Sequence, residues 1–156
     1  MKNISSMNAP SKPSTGAPTG SVNNQQLELP SNIEGVHIIE KLIETICTTY
    51  KLSEDHYGNI LVAVTEAVNN AIYHGNKADP AKKVHVGFKT SQNTISFSVR
   101  DEGTGFDFSN LPDPTDPANI EKPSGRGIFL MKHLADTVEF SDDGCSVSIS
   151  FNMLVN

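Results

Sequence analysis

The chain has 156 residues, with 12 Lys and Arg against 18 Asp and Glu, and a formal net charge of −6. This length fits one domain that buries its own core, and the acidic balance argues against a protein that tracks nucleic acid or an anionic membrane. The sequence has no signal-peptide core and no apolar run of membrane-spanning length, and its two cysteines are too few for a disulfide framework. We therefore predict a cytoplasmic protein.

Residues 1–24 differ in composition from the rest of the chain. They contain five Ser, four Asn and three Pro, and Lys2 and Lys12 are their only charged residues. Such a segment has too little apolar surface to offset the entropy lost on ordering. We predict a flexible tail over residues 1–24 and a folded domain over residues 25–156, which holds all 18 acidic residues.

The first folded segments are predicted to be a strand and two helices. Gln26–Leu29 is typical of a short edge strand. Ser31 followed by Glu34 matches a capping box at the start of the first helix. Ser53 is placed to cap a second helix, which Gly75 ends.

The remaining segments are mostly strands. Two runs of alternating apolar residues, at 84–88 and 95–99, predict a hairpin joined by Ser91-Gln92-Asn93. A Pro-rich stretch over 106–124 precedes a short helix, and two strands around an Asp142-Asp143-Gly144 turn close the chain. Because alternation indicates one buried face, we predict a two-layer α/β sandwich with a mixed, mostly antiparallel sheet and helices on one face.

The first segment with chemical potential is Glu66-x-x-x-Asn70 on the second helix. This spacing places both side chains on one helix face, with β carbons about 5–6 Å apart. Glu66 is the only charged residue between Tyr57 and Tyr73, so we expect another segment to cover this face. A carboxylate in a partly dry groove suits proton abstraction, and an amide oxygen suits Mg²⁺. A solvent-facing polar pair is the alternative.

The second segment is Asp101-Glu102-Gly103-Thr104-Gly105, at the end of a predicted strand. The two glycines allow positive φ and the close approach of a flat ligand, while Asp101 offers an acceptor for an amine proton. A simple hairpin or bulge would use the same residues.

The third segment, Ser124-Gly125-Arg126-Gly127-Ile128, opens the last predicted helix. Glycines at a helix N-terminus let backbone N–H groups face an anion such as phosphate. The segment matches neither a P-loop nor a dinucleotide fingerprint. A plain junction between loop and helix is the alternative.

The order of these three segments resembles the ATP-binding Bergerat fold shared by gyrase, histidine kinases and MutL, the GHKL superfamily. Within it, the run TEAVNNAIYHG over Thr65–Gly75 is most similar to the anti-sigma-factor serine kinases of bacteria. The resemblance covers roughly residues 26–153. It implies a left-handed βαβ-type sandwich in which ATP lies between the helices and a lid over residues 107–124.

The resemblance also implies roles for the polar residues. Glu66 would be the general base, and Asn70 would bind the Mg²⁺ that bridges the ATP phosphates. Asp101 would accept a hydrogen bond from the adenine amino group, and Gly103 and Gly105 would let the base approach.

Further residues are implied at the phosphate end. Gly125 and Gly127 would present backbone N–H groups to the phosphates. Arg126 and Lys122 are the candidates for contact with the γ-phosphate. His74 would lie near the phosphates, although a histidine that interacts with the helix dipole is an equal alternative.

The function implied is that of an ATP-binding anti-sigma factor with serine-protein kinase activity, using ATP and Mg²⁺. Its substrate would be a serine of an anti-anti-sigma (STAS-type) protein. The kinase domain, as a homodimer, would hold a sigma factor inactive until the unphosphorylated antagonist competes for it.

Two other functions stay open. One is an ATP-binding regulatory module that sequesters a partner without phosphoryl transfer. The other is an ATPase domain of the histidine-kinase or gyrase type. Residues 1–24 contain no phosphoacceptor His, and 156 residues do not supply the second domain that a gyrase-type site needs.

Overall fold

The computed structural model describes residues 23–104 and 123–153, with the backbone alone for residues 23 and 123–125. The predicted tail and lid fall almost wholly outside these ranges. The elements in chain order are β1 (Asn23–Pro30), α1 (Ile33–Thr49), α2 (Glu54–Asn69), a π-helix (Asn70–Gly75), β2 (Lys83–Thr90), β3 (Thr94–Arg100), α3 (Pro123–Leu134), β4 (Thr137–Ser141), a 3₁₀ turn (Asp142–Gly144) and β5 (Ser146–Asn152).

The described strands form one five-stranded sheet in the order β1-β2-β3-β5-β4. All four strand pairs are antiparallel, including the predicted hairpin of β2 and β3. The predicted α/β sandwich is therefore confirmed. The parallel pairing that a mixed sheet requires does not occur among the described strands.

The core lies between one face of the sheet and the helices. The buried strand residues alternate along the chain as predicted: Val84, Val86 and Phe88 on β2, Ile95, Phe97 and Val99 on β3, and Val147, Ile149 and Phe151 on β5. Each large apolar side chain fully buried in this way stabilises the fold by about 1.5–3 kcal/mol. The opposite face is polar, and Ser96 and Ser150 hydrogen-bond there across β3 and β5 at 2.9 Å.

The two helix starts agree with the sequence to different degrees. Ser53 caps α2 as predicted, because its Oγ accepts a hydrogen bond from the His56 N–H at 3.1 Å. Helix α1 forms as predicted, but its predicted capping residue was wrong. Asn32 is the N-cap and accepts from the Glu34 N–H, whereas Ser31 turns inward and donates to the Lys82 carbonyl at 2.7 Å.

The second helix changes its hydrogen-bond pattern before it ends. Residues Asn70–Gly75 form a π-helix, which the Asn76 N–H closes by donating to the Ala71 carbonyl at 2.8 Å. Single π-turns associated with α-helices are rare and are frequently found at functional sites. The predicted end at Gly75 is right, but the sequence did not indicate the wider turn. No helix within 23–104 and 123–153 is long and apolar enough to cross a membrane.

Candidate functional site

A cleft of about 110 Å³, partly open to solvent, lies between the π-helix, α3 and the ends of the central strands. Val99, Ile128 and Met131 supply part of its apolar wall, and Asn70, His74 and Asp101 supply polar groups. This mixture of apolar walls with a few polar groups is typical of small-molecule sites. The structure thus brings three of the predicted site residues to one cavity.

Asp101 is held in position by the residues around Cys145. The Asp101 N–H donates to the Cys145 carbonyl at 2.9 Å, and the Gly103 N–H donates to Asp101 Oδ1 at 2.8 Å. The Cys145 thiol donates to the Gly103 carbonyl at 3.3 Å and lies beside the Asp101 carboxylate. Burial raises the pKa of the Asp101 carboxyl, and the bond from Gly103 opposes that rise. Sequence reasoning missed Cys145, which lines the cleft from the position just before β5.

Gly75 and Gly103 let the Asp101 loop pack directly on the π-helix. A Cβ at Gly75 would overlap the Asp101 carboxylate, and a Cβ at Gly103 would overlap the Gly75 carbonyl oxygen. Gly103 does not use the positive φ that a glycine allows, since Gly144 is the only glycine with positive φ in the described part of the chain. Close backbone approach is the reason for glycine at 103. Gly105 lies outside the described residues.

Glu66 lies one helical turn before Asn70, beyond the wall of the cleft. Its side chain is half-buried, and burial raises the pKa of its carboxyl while the positive charge of Arg126 opposes that rise. Gly127 faces both residues, because a Cβ there would come within 2.8 Å of Glu66 Oε1 and 3.3 Å of Asn70 Nδ2. The first and third predicted segments therefore meet.

The covering of this helix face is partial. Helix α3 packs against α2, and Ala63 is fully buried. Val62 on α2 and Tyr73 on the π-helix that follows it stay 40% and 44% exposed. We expected another segment to cover the helix face that bears Glu66. Helix α3 covers this face near Glu66, but Val62 and Tyr73 remain partly exposed.

The two glycines at the start of α3 occupy different positions in the helix. The helix begins at Pro123, so Gly125 lies in the first turn, where backbone N–H groups lack helical partners. Gly127 is the fifth residue of α3, and because it has no side chain the helix can lie close to Glu66. Arg126 is exposed, and Lys122 lies outside the described residues.

The residues present fit a nucleotide with a divalent cation. The Asn70 amide and the Glu66 carboxylate offer hard oxygen ligands, which Mg²⁺ prefers. The bare Gly127 Cα lets α3 approach these two side chains more closely than a residue with a Cβ could. The Asp101 carboxylate, which also lines the cleft, is an acceptor beside apolar walls, which suits a flat ring with an amino group.

Comparisons with known proteins identify the class of domain to which this helix-covered antiparallel sheet and its cleft belong. The profile of the histidine kinase-like ATPase domain matches residues 29–151, and the chain belongs to that family. The resemblance to GHKL anti-sigma-factor kinases is thereby confirmed at the level of the family.

Individual relatives agree with this assignment. The chain is similar to the serine-protein kinase RsbW of Bacillus cereus (strain AH820) and of Bacillus anthracis (strain CDC 684 / NRRL 3495). Each is 27% identical over 129 residues, which are 78% of this chain and 80% of the relative.

A solved structure shows the same fold. The crystal structure of the RsbU and RsbW domains of Rv1364c from Mycobacterium tuberculosis superposes with a TM-score of 0.59 at 15% identity. The match covers 87% of this chain and 32% of that chain, so this protein spans about a third of the solved one.

Proposed function

We propose that the protein is an ATP-dependent protein-serine kinase that also acts as an anti-sigma factor. One observation carries the proposal. The carboxylate of Glu66 and the amide of Asn70 meet the start of α3 next to a cleft that the Asp101 carboxylate also lines. A nucleotide anchored at Asp101 would extend its phosphates toward this pair. The relatives named serine-protein kinases support the same assignment.

Asp101 recognises the base in this proposal. Its carboxylate accepts a hydrogen bond from the adenine amino group, while the apolar wall contacts the ring. Since the Gly103 N–H already holds the carboxylate and the Cys145 carbonyl already holds the Asp101 N–H, little ordering entropy is lost when the base binds.

Glu66 acts as the general base. It takes the proton of a serine hydroxyl onto a carboxylate oxygen, and the hydroxyl oxygen forms a bond to the γ-phosphorus. The bond from that phosphorus to the bridging β–γ oxygen breaks, and ADP leaves. Because burial raises the pKa of Glu66, its carboxylate accepts a proton more readily than an exposed one does.

The phosphate end is arranged for negative charge. Asn70 would hold Mg²⁺ through its amide oxygen, and the ion would neutralise charge on the phosphates. The N–H groups of the first turn of α3, including that of Gly125, donate to phosphate oxygens. Arg126, whose charge already acts on Glu66, is the candidate side chain for the γ-phosphate. An acidic chain can thus bind a polyanion with few basic residues.

The partners follow from the family resemblance. The acceptor serine belongs to an anti-anti-sigma protein of the STAS type, and the unphosphorylated acceptor competes with a sigma factor for a homodimer of this chain. Phosphorylation of the acceptor ends the competition and leaves the sigma factor sequestered.

The test is phosphoryl transfer from γ-labelled Mg-ATP to a STAS-type antagonist, with the Glu66→Gln variant beside the wild type. We expect the variant to bind ATP and to lose transfer by at least roughly 100-fold. Glu44→Gln, at an exposed position of α1, is the matched control and should keep full activity. Full transfer by Glu66→Gln would reject the base assignment. ATP binding by the wild type without any transfer would instead favour the regulatory module that sequesters a partner.

A further inference from the structure

Asn76 is a fully buried polar residue that directly follows the π-helix. Its exposed fraction is 0%, and the apolar core does not account for an amide at this position. A buried amide is costly unless each of its polar atoms is hydrogen-bonded. The partners of Asn76 are therefore informative.

The Asn76 side chain joins three separate segments of the chain. Its Nδ2 donates to Ser31 Oγ at 3.0 Å and to the Lys83 carbonyl at 3.0 Å. Its Oδ1 accepts from the Glu102 N–H at 2.7 Å. The Lys83 carbonyl can only accept a hydrogen bond and the Glu102 N–H can only donate one, so the orientation of the Asn76 amide is determined. No other uncharged side chain supplies two donors and an acceptor in this planar arrangement except the longer Gln.

The bond to Glu102 acts on the loop that carries Asp101. The Glu102 N–H belongs to the peptide that follows Asp101, and the Asp101 carboxylate lies against Gly75, the residue before Asn76. The Asn76 backbone is tied to the same helix through Ala71. Asn76 thus connects the helix that bears Asn70 to the loop that bears Asp101.

We propose that Asn76 is a positioning residue for nucleotide binding, which sets the place of Asp101 relative to the helix through the Glu102 N–H. The inference rests on the proposed function, since it assigns the base to Asp101. Asn76 does not touch the nucleotide. Its effect falls on the base end of the cleft and leaves the phosphate end unchanged.

The experiment compares Asn76→Ala with Ser31→Ala by calorimetric titration with ATP, adenosine and Mg-tripolyphosphate. Both variants lose bonds of the same buried network. Asn76→Ala loses all three bonds of its side chain, whereas Ser31→Ala loses the bonds to Asn76 and Lys82 and keeps the bond from Glu102 to Asn76. We expect Asn76→Ala to weaken the binding of ATP and of adenosine by the same factor, roughly 10-fold. The affinity for tripolyphosphate should stay unchanged. Ser31→Ala should bind all three ligands as the wild type does, although its melting temperature falls.

Equal effects of the two variants on adenosine would overturn the proposal, because they would reduce Asn76 to a structural residue. So would a loss confined to tripolyphosphate. If the wild type binds none of the three ligands, both the proposed function and the positioning role are rejected. If the wild type binds adenosine and Asn76→Ala binds it equally well, only the positioning role fails.

A measurement on the wild type keeps the proposal testable if Asn76→Ala does not fold. The exposed Glu102 should exchange its amide hydrogen at least ~10-fold more slowly than an unstructured chain, because Asn76 accepts that hydrogen. Exchange at the rate of an unstructured chain would overturn the proposal.

Discussion

The bare Cα of Gly127 on α3 faces the carboxylate of Glu66 on α2, so closely that a Cβ would come within 2.8 Å of Oε1. The carboxylate can occupy this position only because residue 127 of the neighbouring helix has no side chain. Substitution at 127 tests the phosphate end of the site without removing any of its functional groups.

Gly127→Ala should displace Glu66 and the neighbouring Asn70 amide. We expect phosphoryl transfer to fall roughly 10-fold or more, because small displacements of a positioned base are costly, while adenosine affinity stays unchanged. Steady-state transfer and calorimetric titration measure the two quantities. Gly58→Ala is the control, since its Cβ would meet nothing within 4 Å and Ala favours the helix by about 0.5–1 kcal/mol. Unchanged transfer in Gly127→Ala would contradict the proposed place of Glu66.

Gly103→Ala should damage both stability and base binding. Its Cβ would overlap the Gly75 carbonyl, a backbone atom that cannot rotate away. We expect a loss of about 1–3 kcal/mol in the free energy of unfolding, measured by urea titration, and weaker adenosine binding. In Gly87→Ala the clash is with the Ser98 hydroxyl, which can rotate, so that variant should lose much less stability. Similar losses in both variants would argue against the close packing of the loop on the π-helix.

The raised pKa of Glu66 predicts a pH dependence of stability. A carboxyl whose pKa is higher in the folded state favours folding most below its usual value of 4.5, and that advantage is lost as the pH rises through the folded value. Glu66→Gln should therefore gain stability relative to the wild type as the pH rises above about 4.5. Chemical unfolding at a series of pH values measures the difference. A constant difference across the acid range would show that burial does not shift this pKa.

The pKa of Glu102 is shifted in the opposite direction. The hydrogen bond between His85 Nε2 and Glu102 Oε2, at 2.7 Å, is the main reason why this pKa lies below its usual value. This shift stabilises the folded state at pH values above the usual pKa of Glu102. The stabilisation is lost as the pH falls through the lowered pKa of the folded state. In His85→Ala the Glu102 pKa should return toward its usual value, as followed by NMR of the side-chain carboxyl. Glu28→Gln removes only the longer 3.6 Å contact to His85, so the Glu102 pKa should change much less.

Local signals in the sequence predicted much of this structure. The Ser53 cap and the hairpin of β2 and β3 were predicted from residues that are neighbours in the chain. Glu66 and Asn70 were predicted from helical spacing, and the Asp-x-Gly-x-Gly pattern indicated Asp101. All of these signals lie within a few residues of the feature that they predict.

The missed features depend on contacts between distant residues. Ser31 was predicted as a cap, yet it bonds Asn76, 45 residues away, because the tertiary contact displaces the local one. Cys145 reaches Gly103 across 42 positions. Gly75 was interpreted as a helix stop, and its contact with Asp101 requires the folded sheet. No periodicity or cap rule carries such information.

The strand order has a thermodynamic consequence for ligand binding. Asp101 follows the central strand β3, and its N–H is bonded to Cys145, which precedes the neighbouring strand β5. Central strands separate only when the whole domain unfolds. A base held at Asp101 would therefore protect the entire sheet against global unfolding, so that adenosine alone should raise the protection of amide hydrogens in β3 and β5.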